Sequence, residues 1–148
     1  MDYKRQRIET YIELELQMSA LYRLYQKLFP QDAEFWKRMA EEELRHAKVL
    51  EALFTFPDKF PENLDDVDLA NLNLTVREIK EIIAGYKKNR PTRFEAYKKA
   101  IYVENVSGEL HYRQVANQKN DPQETECFRL LNGGDKVHSE SIAMLLLK

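Results

Sequence analysis

The stretch MAEEELRHAKVL, residues 39–50, sets a carboxylate and an imidazole on an otherwise apolar helix face. At helical spacing Met39, Glu43, His46 and Leu50 point the same way. Burying an acid or an imidazole without a partner is costly. A helix that turns both inward needs something at its core that pairs with both.

The surrounding chain favours helix throughout. Its 148 residues are enough for one domain, 1–148, with a real core. Apolar residues make up 43% and charged residues 32%, as in a soluble globular protein. Four Gly and five Pro are too few for an all-β fold with many tight turns. The net charge of −2 offers no attraction for nucleic acid, and the basic run YKKNR at 86–90 reads as the solvated end of a helix. Cys127 is the single cysteine, which excludes an intrachain disulfide and a Cys-x-x-Cys metal knuckle, and it reads as a small core residue. MDYKRQRIETY has no apolar leader core, and the longest apolar run, IAMLLL at 142–147, is too short to span a bilayer. A cytoplasmic protein without membrane contact is expected.

Apolar positions at steps of three and four predict four long helices. The first covers about 3–29 and ends at Pro30-Gln31-Asp32. The second covers about 32–54, with Asp32 as its N-cap. A loop rich in Pro, Asp and Asn follows at 56–73, and Thr75-x-x-Glu78 reads as a capping box opening a short helix to about Asn89. Thr92-x-x-Glu95 opens the third long helix, to about Asn120, and Asp121-Pro122-x-Glu124 opens the fourth. The expected fold class is all-α: two antiparallel helical hairpins joined by a long crossover, at about 56–90, that carries a short extra helix. Gly133-Gly134 interrupts the fourth helix and marks a helix end, a bulge or a close backbone approach.

A second acid–imidazole pair gives the first its meaning. Two of the three histidines follow an acid at the same spacing, His46 after Glu43 and His138 after Asp135. Residues three apart on a helix can aim at one point. A carboxylate-bridged two-metal site in a four-helix bundle needs such a pair from two helices and one acid from each of the others. On the first helix Glu15 shares the core face with Ile8, Ile12, Met18 and Tyr22, with Glu13 its rival. On the third, Glu104 lies with Ala100, Ile101 and His111, with Glu109 the rival there. Glu15 precedes Glu43 by 28 residues and Glu104 precedes Asp135 by 31, a repeat of chemistry between the halves.

On these residues the chain resembles the ferritin-like proteins of the rubrerythrin type. The likeness runs from Glu15 through Tyr22 to MAEEELRHAKVLEAL, and less closely through AIYVENVSGELHY at 100–112 and GGDKVH at 133–138. It implies a ferritin-like bundle holding two iron ions, with manganese or zinc as possible substitutes. Glu15, Glu43 and His46 would bind one half of the centre, and Glu104, Asp135 and His138 the other. Glu43 and Asp135 would bridge, and Tyr22 would donate a hydrogen bond from behind the ligands. His111 takes the place on the third helix that Tyr22 takes on the first, as an extra ligand, a proton donor or a hydrogen-bonded core residue.

The resemblance implies an oxidoreductase that reduces peroxide, activates oxygen or oxidises ferrous iron, and a homodimer. Asp135 stands where the pattern has Glu, one methylene shorter. This sequence carries no Cys-rich rubredoxin module, so electrons would come from a separate protein. Two other readings remain open: iron binding for storage or sensing without turnover, and a helical interaction module with a degenerate site.

Overall fold

A computed structural model of the protein describes residues 3–52, 66–116 and 122–148. Within them lie five helices and no strand: α1 (Tyr3–Leu28), α2 (Ala33–Ala52), α3 (Asp66–Lys88), α4 (Arg93–Ala116) and α5 (Pro122–Leu146). A 3-10 turn at Pro30–Asp32 separates α1 from α2. α1 pairs with α2 and α4 with α5 as two hairpins, and α3 packs mainly along α1. The all-α bundle read from the sequence is present.

The hairpins are joined through their core face. Ile8, Leu14, Met18, Leu21, Leu50, Ala100, Val103, Leu131 and Ile142 are buried there. Each of these side chains larger than alanine contributes roughly 1.5–3 kcal/mol on leaving water. Tyrosine hydroxyls in this core find backbone partners: Tyr11 donates to the Leu110 carbonyl at 2.9 Å and Tyr25 to that of Ala96 at 2.8 Å. Both bonds tie α1 to α4, one at each end of the bundle. Around Tyr25 an aromatic cluster closes one end, with the Trp36 ring tilted 5.2 Å from Tyr22 and edge-on at 5.0 Å from Tyr25 and 4.9 Å from Tyr97.

α3 departs from expectation. It begins at Asp66 and runs 23 residues, so Thr75 lies inside it and opens nothing. The buried stripe Leu72, Val76, Ile79, Ile83 explains the extension, since its period continues upstream of Thr75. Thr75 satisfies its hydroxyl on the Asn71 carbonyl one turn back, at 2.8 Å. Of the loop expected at 56–73, residues 66–73 are therefore helical, and the remainder lies outside the described residues.

The second capping box does form: Glu95 N–H donates to Thr92 Oγ1 at 3.1 Å and Thr92 N–H to Glu95 Oε2 at 3.4 Å. Asp32 lies in the 3-10 turn and sends its carboxylate across to α4, where Arg93 Nε donates at 3.0 Å and the Tyr97 hydroxyl also donates. Arg93 reaches on to the Leu145 carbonyl at 2.9 Å, so one guanidinium ties α4 to the turn before α2 and to the end of α5. Pro122 is the first residue of α5, while Asp121 and the end expected for the third long helix at Asn120 lie outside the described residues. α5 runs unbroken through Gly133-Gly134. Among the described residues no helix is long and apolar enough to cross a membrane.

Candidate metal centre

Four carboxylates and two imidazoles are buried in the middle of this core: Glu15 on α1, Glu43 on α2, Glu104 and His111 on α4, Asp135 and His138 on α5. His46 on α2 joins them, with 18% of its side chain exposed. The rivals fall outside. Glu13 lies at the rim, 3.3 Å from Lys80, and Glu109 points to solvent beside Arg113 at 3.6 Å. Helical geometry decides this, because the two-residue step from Glu15 to Glu13 and the five-residue step from Glu104 to Glu109 each turn the side chain well away from the core direction.

Glu43 is the hub. Its Oε2 lies 3.2 Å from His46 Nδ1 and its Oε1 lies 2.9 Å from His138 Nδ1. Glu15 approaches the same His46 nitrogen at 3.6 Å, and Glu104 approaches the same His138 nitrogen at 3.3 Å. Among the described residues two sets of ligand atoms therefore gather within 4.8 Å: Glu15, Glu43 and His46, and Glu43, Glu104 and His138. The rings of His46 and His138 stack at 5.7 Å. Asp135 belongs to neither set. Its carboxylate contacts His111 Nδ1 and, at 3.4 Å, the Ser107 hydroxyl.

Each histidine is seated by a residue the sequence did not single out for that task. His138 Nε2 meets the half-exposed carboxylate of Glu42, leaving Nδ1 for the cluster. His46 lies against the α5 backbone, where a Cβ on Gly134 would fall 2.9 Å from its Cε1. Of the three meanings open for the glycine pair, the close backbone approach is the one present. Tyr22 donates to Glu104 Oε1 at 2.5 Å, and His111 Nε2 faces Glu15 Oε1 at 2.9 Å. Glu42 gave little sequence signal, since it sits on the outer flank of α2 and its partner is 96 residues away.

Electrostatics mark the cluster as unfinished. Burial raises Glu104 to about 8, and the neighbouring Glu43 charge adds to the rise. Burial also lifts Asp135 to about 7 against the pull of His111. Glu15 goes the other way: burial opposes its ionisation, yet Glu43, His111 and His46 around it bring it down to about 2. Burial would lower the imidazoles, but the carboxylates raise His46 to about 10 and His138 to about 12. Burial and Glu104 push Tyr22 well above the usual tyrosine range. Protonated imidazoles thus offset the carboxylates in the metal-free chain.

That compensation is incomplete. Both oxygens of Glu15, Oε2 of Glu104 and Nε2 of His111 are buried without an aligned hydrogen bond. Buried polar atoms are nearly always paired. Carboxylate oxygens left open and facing imidazole nitrogens are the donor set that suits a divalent first-row metal. The residues fit such a group.

A helical bundle with a carboxylate–imidazole cluster at its centre defines the ferritin-like class of fold. A family model described as rubrerythrin matches residues 8–146. The chain belongs to the rubrerythrin family. Neither a curated protein nor a solved structure matches it.

Proposed function

We propose that the protein is a non-haem di-iron oxidoreductase acting on peroxide or oxygen. The observation that carries this reading is the sharing of Glu43 between two ligand sets whose other carboxylates keep open oxygens. Glu15, Glu43 and His46 would hold one iron, and Glu43, Glu104 and His138 the other. Bound iron supplies reversible one-electron chemistry toward a small oxidant, with electrons returned by a separate donor.

The protein's part is to bind, orient and exclude water. Glu42 fixes the His138 ring from outside, and the α5 backbone at Gly134 fixes His46. Tyr22 holds its proton at Oη against Glu104 Oε1, ready to follow changes in charge on that carboxylate. The apolar residues above and below, Met18, Leu21, Val103 and Leu131 among them, keep bulk water away. A cleft of about 250 Å³ between α4 and α5, lined in part by Glu104 and Asp135, would admit a small oxidant.

Elemental analysis of protein grown with iron, purified without chelator, tests the assignment. About two irons per chain are expected, falling in His46→Ala, with sustained peroxide consumption once a reductant is added. Iron binding without sustained consumption would favour storage or sensing. No iron, in folded protein that also refuses added ferrous ion, would leave a structural bundle.

A further inference from the structure

Asp135 is engaged away from the ligand atoms around Glu43. One carboxylate oxygen meets His111 Nδ1 and the other accepts from Ser107 Oγ at 3.4 Å. His111 is itself fixed. Its ring packs 5.4 Å from Tyr11 and 6.0 Å from Phe128, and the Tyr11 hydroxyl is bound to the Leu110 carbonyl. The second ring nitrogen faces Glu15. His111 is fully buried, so a rotation that freed Asp135 would strip Nδ1 of its hydrogen-bond partner, take Nε2 away from the Glu15 carboxylate and break the ring packing.

We propose that His111 and Ser107 hold Asp135 out of the metal centre, so that Glu43 is the one carboxylate shared by the two metal positions. His111 is then a positioning residue, acting through Asp135. The inference rests on the metal reading above and deepens it by removing a ligand that the family likeness implies. It has a thermodynamic consequence. Two dications held close repel one another, and each shared carboxylate offsets part of that repulsion. With one shared carboxylate in place of two, the second metal binds more weakly than it would with both.

Cobalt(II) added to the metal-free full chain, followed by its visible absorption and by calorimetry, reads the two binding steps separately. Asp135→Asn keeps the shape of the side chain and an acceptor for His111. It is expected to leave both steps within about twofold of the unsubstituted chain. His111→Phe keeps a ring between Tyr11 and Phe128 but frees Asp135. It is expected to tighten the second step about tenfold, and adding Asp135→Asn to it should remove that gain. Loss or tenfold weakening of the second cobalt in Asp135→Asn alone overturns the inference, as does a folded His111→Phe with no tightening. Should His111→Phe fail to fold by circular dichroism, Asp135→Asn alone decides. Two cobalts lost from Asp135→Asn would sink this inference and leave the metal reading standing. No cobalt bound by any of the four proteins would sink both.

Discussion

At the scale of the single residue, the pairing of Glu42 with His138 shows how a surface carboxylate reaches the centre. A ligating histidine keeps its tautomer and direction through the bond made by its other nitrogen, and removing such a partner typically costs 10–100-fold in metal affinity. Glu42→Ala should therefore weaken one of the two metal positions by about 10–100-fold, while Glu42→Gln, which keeps an acceptor, should lose less. Competition with a chelator of known affinity measures both. Equal losses in the two variants would assign the effect to charge alone. The inward carboxylates were legible in the sequence because each sits in phase with apolar neighbours: Glu15 with Ile8, Met18 and Tyr22, Glu104 with Ala100. Glu42 has no such phase. Its importance depends on where α5 places His138, and nothing local to α2 encodes that.

At the scale of the helix, α5 carries two glycines with opposite prospects. Gly133 is exposed, and a Cβ there would meet nothing within 4 Å. Gly133→Ala should stabilise the fold by up to about 1 kcal/mol through helix propensity. At Gly134 the same methyl would fall 2.9 Å from His46 Cε1 and 3.1 Å from its Nε2. Gly134→Ala should forfeit that gain to overcrowding of about 1–3 kcal/mol, or displace His46 and lose metal at its position. Chemical denaturation beside metal analysis separates the two glycines. A Gly134→Ala protein with unchanged metal content and raised stability would show that the close approach is incidental. Helix boundaries were less legible than helix identity. Thr75-x-x-Glu78 has the composition of a cap, but an apolar stripe that starts upstream overrides it. Thr92-x-x-Glu95 has the same pattern and does cap, because Pro91 before it stops the chain from continuing as helix.

At the scale of the molecule, the cluster makes metal-free stability depend on pH in one direction over the neutral range. Glu104 goes from an ordinary value of 4.5 to about 8 on folding, so the folded chain keeps a proton that the unfolded chain gives up. His46, raised from 6.5 to about 10, likewise binds its proton more tightly when folded. Stability rises with pH only where the unfolded state holds more protons, and here the folded state does. The stabilisation from His46 is complete below pH 6.5 and is lost as pH climbs toward 10, while the Glu104 penalty grows from 4.5 toward 8. Glu15 opposes this only in acid, between 4.5 and about 2. The melting temperature of metal-free protein should fall from pH 6 to pH 9, by calorimetry or circular dichroism. A rise across that range would mean that the imidazoles enter the fold neutral. Metal binding should release protons and flatten the profile, because the cation takes over the role of the protonated imidazoles. The packing at the end of the bundle offers a way to follow all of this without a label. Trp36 is the only tryptophan of the chain, and its ring packs at a tilt against Tyr22, whose hydroxyl is bound to Glu104. Its emission colour and lifetime thus sit one ring away from the centre, and the unaltered protein carries its own optical gauge of what occupies its core.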